Sequence, residues 1–292
     1  MRIRIVAAAV AGLALLGAVA ACGSGKANKA TPSYAAAQAS FAPGSTMERL
    51  HNAEKITIGV KFDQPGISMT NPATGKPEGF DDEIAKIIAA ALGLKPDQID
   101  FKEAVSKNRE PFLQNGTVDL VIASYSITDD RKKVVSFAGP YYVTGQQLMV
   151  RKDDSSINGP DDLAGKKVCS VTGSTPLATI QNKYKSATAV PFATYTECVQ
   201  QLINKSVDAV TTDGAILLGY AAKQPSQLKV VGQPFSTENY GVGLKKDDTA
   251  FRAFINDALQ KAMDDGDWAK AYDATLGKSG TPAPQPPALA RY

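Results

Sequence analysis

Residues 113–121, LQNGTVDLV, are answered further along the chain by residues 202–210, LINKSVDAV, with Leu, Asn, Val, Asp and Val at matching places. In each copy a helix end runs through a polar turn into an apolar strand. Each strand then delivers polar residues to its carboxyl end, Ser124 in the first copy and Asp213 in the second. A unit that occurs twice predicts a fold built twice.

The flanking segments extend both copies. Before the first lie a strand, ITIGV (56–60), a helix, GFDDEIAKIIAAALG (79–93), and a strand, IDFKEAV (99–105). Ile84, Ile87, Ile88, Ala91 and Leu92 fall at helical spacing, and Gly93 closes that helix. Around the second copy the order recurs: strand KKVCSVT (166–172), helix TPLATIQNKY (175–184), strand SATAVPFA (186–193), helix TECVQQLINKS (196–206) and strand VDAVTT (207–212). Alternating strands and helices predict an α/β fold with mostly parallel sheets. Two extended segments, YYVTGQQLMVRKDD (141–154) and ENYGVGLKKDD (238–248), are expected to carry the chain between two lobes, with hinges near residues 145–150 and 239–243. The last amphipathic stretch (250–277) is expected to pack back on the first lobe. In open α/β sheets ligands bind outside the carboxyl ends of the strands, so chemistry is expected in the cleft between the lobes.

The chain ends are of another kind. Residues 1–21 carry Arg2 and Arg4, then an apolar run rich in Ala and Gly, which is the pattern of a signal peptide. Its end, Val19-Ala20-Ala21-Cys22, resembles the lipobox of bacterial lipoproteins, in which the Cys22 thiol receives the lipid. Residues 22–46 are poor in large apolar side chains and read as a flexible tether, and residues 278–292 as a disordered tail. About 230 residues remain between them, enough for one large or two small domains: lobe 1 over 47–144 plus 241–277 and lobe 2 over 145–240. Loss of Arg2 and Arg4 takes the net charge from 32 − 29 = +3 to 30 − 29 = +1, and so nearly neutral a body argues against a nucleic-acid partner. Once exported, Cys169 and Cys198 would meet an oxidising compartment. They are expected to form a disulfide contributing about 3.5 kcal/mol through loop closure, the alternative being two buried thiols.

Residues 123–142, ASYSITDDRKKVVSFAGPYY, resemble the signature of the extracytoplasmic amino-acid-binding proteins of ABC transporters, and the likeness runs over roughly residues 47–277, through GFDDEIA, GSTP, VDAVTTD and DDGDWAKAY. The resemblance implies a two-lobed periplasmic-binding-protein-like fold of type II, a monomer that closes on a small ligand and hands it to permease subunits, and no cofactor or metal. The physics of the signature agrees. Thr128 is placed to cap a short helix, Asp129 and Asp130 suit its first turn, and Arg131 stands one turn in beside the hydroxyls of Ser124 and Ser126. Hydroxyls, free backbone donors and a guanidinium make a fork for a carboxylate. The resemblance assigns the ligand α-carboxylate to Arg131, Ser124, Ser126 and Thr175, and the α-ammonium to Asp213.

Lys61 departs from relatives with an Asp at that position, which faces basic or amide side chains; a cation there should invert the preference. Residues 107–111, KNREP, resemble the NRxP stretch of glutamate- and aspartate-binding members, whose Arg reaches the side-chain carboxylate. Lys61 and Arg109 together therefore predict an acidic ligand, glutamate ahead of aspartate. Where several members cover the ligand with an aromatic ring, this chain has Gln64. Two rival readings share the fold: an amino-acid sensor for a membrane signalling partner, and a dehydratase acting on carboxylated cyclohexadienes. The second needs a placed general acid, and the one histidine, His51, lies beside the tether.

Overall fold

The computed structural model describes residues 32–291; the signal segment and Cys22 lie outside them. The first half runs α1 (Thr46–Asn52), β1 (Ile56–Val60), β2 (Asp63–Gln64), β3 (Ser68–Thr70), β4 (Pro77–Glu78), α2 (Phe80–Ala91), β5 (Ile99–Glu103), α3 (Arg109–Gln114), β6 (Leu120–Val121), α4 (Asp129–Lys132) and β7 (Ser136–Thr144). The second half runs β8 (Gln146–Arg151), β9 (Lys167–Val171), α5 (Thr175–Lys183), β10 (Thr188–Phe192), α6 (Tyr195–Ile203), β11 (Ala209–Asp213), α7 (Gly214–Lys223) and β12 (Leu228–Val231). β13 (Glu238–Leu244), α8 (Thr249–Asp264) and α9 (Asp267–Ala274) then return to the first half.

Two five-stranded sheets result, ordered β5-β1-β6-β13-β7 and β10-β9-β11-β8-β12. In each, three parallel strands are followed by a fourth that runs against them and a fifth that pairs antiparallel with the fourth. The repeat seen in the sequence is a repeat of bonding. Asp119 accepts the Thr57 N–H at 2.9 Å and donates its own N–H to the Thr57 carbonyl at 2.8 Å; Asp208 does the same with Lys167, both at 2.8 Å. A buried strand start has backbone groups that must be paired, and in each sheet the Val-Asp pair ties one parallel strand to the next.

The expected α/β, two-lobed fold of type II is what the chain adopts. The chain leaves the first sheet at Thr144 and enters the second at Gln146, a crossing near its expected place. The return lies earlier than expected. The chain quits the second sheet after Val231 and joins the first at Glu238, because Glu238 pairs with Thr144 and Tyr240 with Tyr142 in the first sheet's ladder. The second crossing is therefore residues 232–237.

The closing helices pack on the first sheet. Trp268 is fully buried, donates its indole N–H to the Tyr141 carbonyl at 2.8 Å and meets Phe80 edge-on at 5.5 Å. Cys169 on β9 and Cys198 on α6 form the expected disulfide, with Cα atoms 5.5 Å apart. The two segments read as tether and tail make more contact than their composition suggested. Tyr34 donates to Glu83 at 3.0 Å, Ala37 N–H to the Ala90 carbonyl at 2.8 Å, and Phe41 sits edge-on to His51 and Phe254. In the tail, Ala290 N–H donates to the Gly139 carbonyl at 2.8 Å, on the edge strand β7, and Arg291 pairs with Asp257 at 2.7 Å. A few anchoring side chains and an unpaired sheet edge hold segments that low hydrophobicity alone would leave loose.

Candidate functional site

Both sheets aim the carboxyl ends of their parallel strands at one place. Just past β1 comes Lys61; past β6 come Ser124 and Ser126; past β9 come Gly173, Ser174 and Thr175; and β11 ends on Asp213. Lys61, Arg109, Ser124, Ser126, Thr175 and Asp213 line a single small cavity together with Gln64, Ser106 and Tyr195. The cleft is shut: the space enclosed is about 10 Å³, room for roughly one water.

Ser124 adopts a left-handed backbone, φ +46°, uncommon for a residue with a side chain. Asp81 explains it. From the first turn of α2 its carboxylate accepts the Ser124 N–H at 2.8 Å and the Tyr141 hydroxyl at 2.7 Å. Burial pushes the Asp81 carboxyl up to about 6 against the pull of these two bonds. The Ser124 hydroxyl donates to the side-chain oxygen of Gln64, so the residue standing in place of an aromatic cover is a polar partner within the wall.

The two arginines behind this wall are heavily committed. Arg109 donates from Nε to the Ser106 carbonyl (3.2 Å), from Nη1 to those of Ala123 and Ser124 (3.1 and 3.0 Å), and from Nη2 to that of Gly173 (3.2 Å). Arg131 donates from Nε to Glu110 (3.0 Å), from Nη1 to the Ser126 carbonyl (2.7 Å) and from Nη2 to the same Gly173 carbonyl (3.0 Å). Both guanidinium groups lie over the Tyr125 ring, at 4.4 and 5.0 Å, a cation–π arrangement that stabilises them away from water. Gly173 takes φ +82°, and a Cβ there would fall 2.8 Å from the Lys107 backbone. Glycine is what lets the second lobe's strand end meet the first lobe so closely. Thr128 caps α4 as expected, its hydroxyl accepting the Arg131 N–H at 3.2 Å. Arg131 stands directly behind the cavity wall and does not line the cavity.

Lys61 and Asp213 are different, because each is buried with a charge unmet. Lys61 is 4% exposed and donates to the Ser106 hydroxyl at 2.9 Å. Burial, then the neighbouring Arg109, lowers its ammonium to about 7. Asp213 is 3% exposed; its Oδ2 accepts the Tyr240 hydroxyl, and its Oδ1 has no partner. Burial, then Glu238, raises its carboxyl to about 7. Asp213 precedes α7, yet its side chain makes no capping bond, so it is not there for the helix. A buried charge without a partner costs several kcal/mol.

Glu238 and Ser106 were missed from the sequence. Glu238 accepts the Thr175 hydroxyl at 2.9 Å and that of Ser236 at 2.9 Å, so Thr175 is held from behind while lying 3.5 Å from Ser126 across the cleft. Glu238 opens ENYGVGL, whose strand-like pattern concealed it. Among the described residues no group of His, Cys, Asp or Glu could hold a metal ion.

A model of the bacterial extracellular solute-binding proteins, family 3, matches residues 56–278. The chain belongs to that family. The resemblance carried by residues 123–142 to extracytoplasmic amino-acid-binding proteins is thereby borne out. This solute-binding protein is 38% identical over 233 residues to the glutamate-binding protein GluB of Corynebacterium efficiens, covering 76% of this chain and 79% of that one. It is 39% identical over 228 residues to the ABC transporter glutamine-binding protein GlnH of Bacillus subtilis, covering 78% and 83%. Among solved structures, an ancestral arginine-binding protein bound to arginine superposes with a TM-score of 0.72 at 36% identity, covering 77% of this chain and 99% of that one. Solute-binding proteins of this kind share the two-lobed frame and differ in what their clefts accept.

Proposed function

We propose that this chain captures an acidic amino acid, glutamate ahead of aspartate, by closing its two lobes and delivers it to the permease subunits of an ABC transporter. It would do so as a monomer held to the cell membrane by a lipid on Cys22, with residues 47–144 and 238–277 as one lobe and 145–237 as the other. The observation that carries the acidic preference is Lys61: an ammonium 4% exposed, in the cleft wall, with one hydroxyl as its partner. A distal carboxylate supplies the missing anion, and Arg109 beside it adds to the field. At the other end Asp213, with its free Oδ1, suits the α-ammonium, while Arg131, Ser124, Ser126 and Thr175 surround the α-carboxylate. Every charge of the bound zwitterion is then paired, the condition on which burial of charges depends.

A distal amide is the second reading. It is favoured by the four backbone carbonyls that occupy Arg109, which leave Lys61 as the less committed of the two cations that line the cavity, and by the 39% identity to a glutamine-binding protein. Titration calorimetry with L-glutamate, L-aspartate and L-glutamine decides between them. Glutamate is expected to bind at least tenfold more tightly than glutamine, since a lone buried ammonium is left underpaired by an amide; glutamine binding as tightly as glutamate refutes the acidic assignment.

A further inference from the structure

The segment that carries β2 leaves the first lobe beside Lys61 and ends against two helices of the second. Asp63 accepts, on a single oxygen, the backbone N–H groups of Tyr195 at 2.8 Å and Thr196 at 3.3 Å. These are the first two residues of α6. The next donor of that turn, the Glu197 N–H, goes to the hydroxyl of the N-cap residue Thr194. A helix start leaves its first amide groups without intrahelical acceptors, and here the second lobe satisfies one of them and the first lobe two. Tyr220 on α7 adds a hydroxyl donated to the Asp63 carbonyl. That hydroxyl also lies 3.0 Å from the Thr196 hydroxyl, so α6 and α7 meet at this one residue of the opposite lobe. Alongside, Gly219 of α7 faces the Pro65 carbonyl so closely that a Cβ would fall 2.1 Å from that oxygen. Asp63 itself is not among the residues that line the ligand cavity.

We infer that Asp63 latches the shut cleft by completing the N-terminus of α6 from the opposite lobe, and so sets affinity for every ligand while touching none. This rests on lobe closure as proposed above and is independent of which amino acid binds. When the lobes part, Asp63 and the amides of Tyr195 and Thr196 return to water. When they meet, two charge-assisted bonds form at the positive end of a helix. The latch is a positioning device: Gly219 is the seat that lets it engage.

The test uses the full chain, with L-glutamate and L-glutamine as probes, calorimetry for affinity, stopped-flow fluorescence for rates and small-angle scattering for compaction. For Asp63→Ala, both amino acids are expected to bind about tenfold to a hundredfold more weakly by the same factor. The change is expected in the dissociation rate, with the midpoint of urea unfolding unchanged in the absence of ligand. Gly219→Ala is a second variant that reaches the same contact from α7. Alanine favours a helix interior over glycine, so unfolding should be no easier, yet affinity for both probes should fall because the new methyl meets Pro65. Wild-type affinity in either variant, or a loss confined to one probe, overturns the latch. If wild-type protein fails to compact with either probe, lobe closure itself is wrong and the latch falls with it; wild-type protein that compacts while Asp63→Ala keeps the parent's dissociation rates isolates the failure to the latch.

Discussion

Replacing Lys61 by methionine keeps an unbranched chain of similar volume in the cleft wall and removes the charge. In the shut protein that ammonium is 4% exposed, its hydrogen-bond partner is the Ser106 hydroxyl, and burial holds it near 7. The nearest other cation, Arg109, is bound to four backbone carbonyls and cannot turn to a ligand without leaving them unpaired. A distal carboxylate in Lys61→Met would therefore be a buried charge lacking its partner, which costs about 3–5 kcal/mol, or a factor of roughly a hundred to a few thousand in affinity. Glutamine would lose at most one hydrogen bond, about 1 kcal/mol, roughly fivefold. The ratio of glutamate to glutamine affinity should thus fall by at least twentyfold, read by titrating each amino acid into parent and variant at pH 7 and one ionic strength. If both amino acids weaken by the same factor, or neither does, Lys61 does not face the distal group and the electrostatic reasoning fails.

Asp213→Asn should weaken every α-amino acid by about a hundredfold or more, because the α-ammonium loses its anion, while glutarate, which has no amine, should be far less affected; equal losses would remove Asp213 from the ligand. In the shut cleft Lys61 stands at about 7, below its ordinary 10.5, and Asp213 at about 7, above its ordinary 3.8, and an opening that returns both to water relieves both shifts. The Lys61 cost is full below pH 7 and fades as pH rises, and the Asp213 cost is full above pH 7 and fades as pH falls. The ligand-free protein should therefore be most open near pH 7, seen as a maximum in radius of gyration that becomes a plateau below pH 7 in Asp213→Asn; a radius that does not change with pH would refute this. Replacing Cys169 and Cys198 together by alanine should lower stability by about 3–4 kcal/mol in urea unfolding, with amino-acid selectivity intact.

What could be read ahead of the structure follows from how local each signal is. The paired segments LQNGTVDLV and LINKSVDAV revealed the doubling because a Val-Asp pair at the start of a buried parallel strand is a local necessity: Asp119 and Asp208 each close the same two-bond bridge to a neighbouring strand. Some helices were legible from spacing and caps alone, α2 from its apolar repeat and α4 from Thr128, whereas α1 and α7 went unread. The second crossing was misplaced by several residues because its position is set by pairing. Nothing in ENYGVGL says that Glu238 will sit opposite Thr144, since that choice belongs to β7 and to the first sheet's ladder.

The site divides along the same line. Strand ends announce themselves, so Lys61, Ser124, Ser126, Thr175 and Asp213 could be named, and they do line one cavity. What each group is bonded to depends on residues distant in the chain. Arg109 and Arg131 meet at the carbonyl of Gly173, a position whose use needs both lobes. Two cations converging on one neutral oxygen gain less than either would from a carboxylate. The guanidinium groups are stacked on Tyr125, which holds them in place. A stacked, preorganised fork of this kind lowers the entropic cost of binding. The arginines are neutralised in part by carbonyls and Glu110, whereas the one side-chain partner of Lys61 is a hydroxyl; on the proposed reading the first would anchor what all amino acids share and the second would answer to the ligand's side chain.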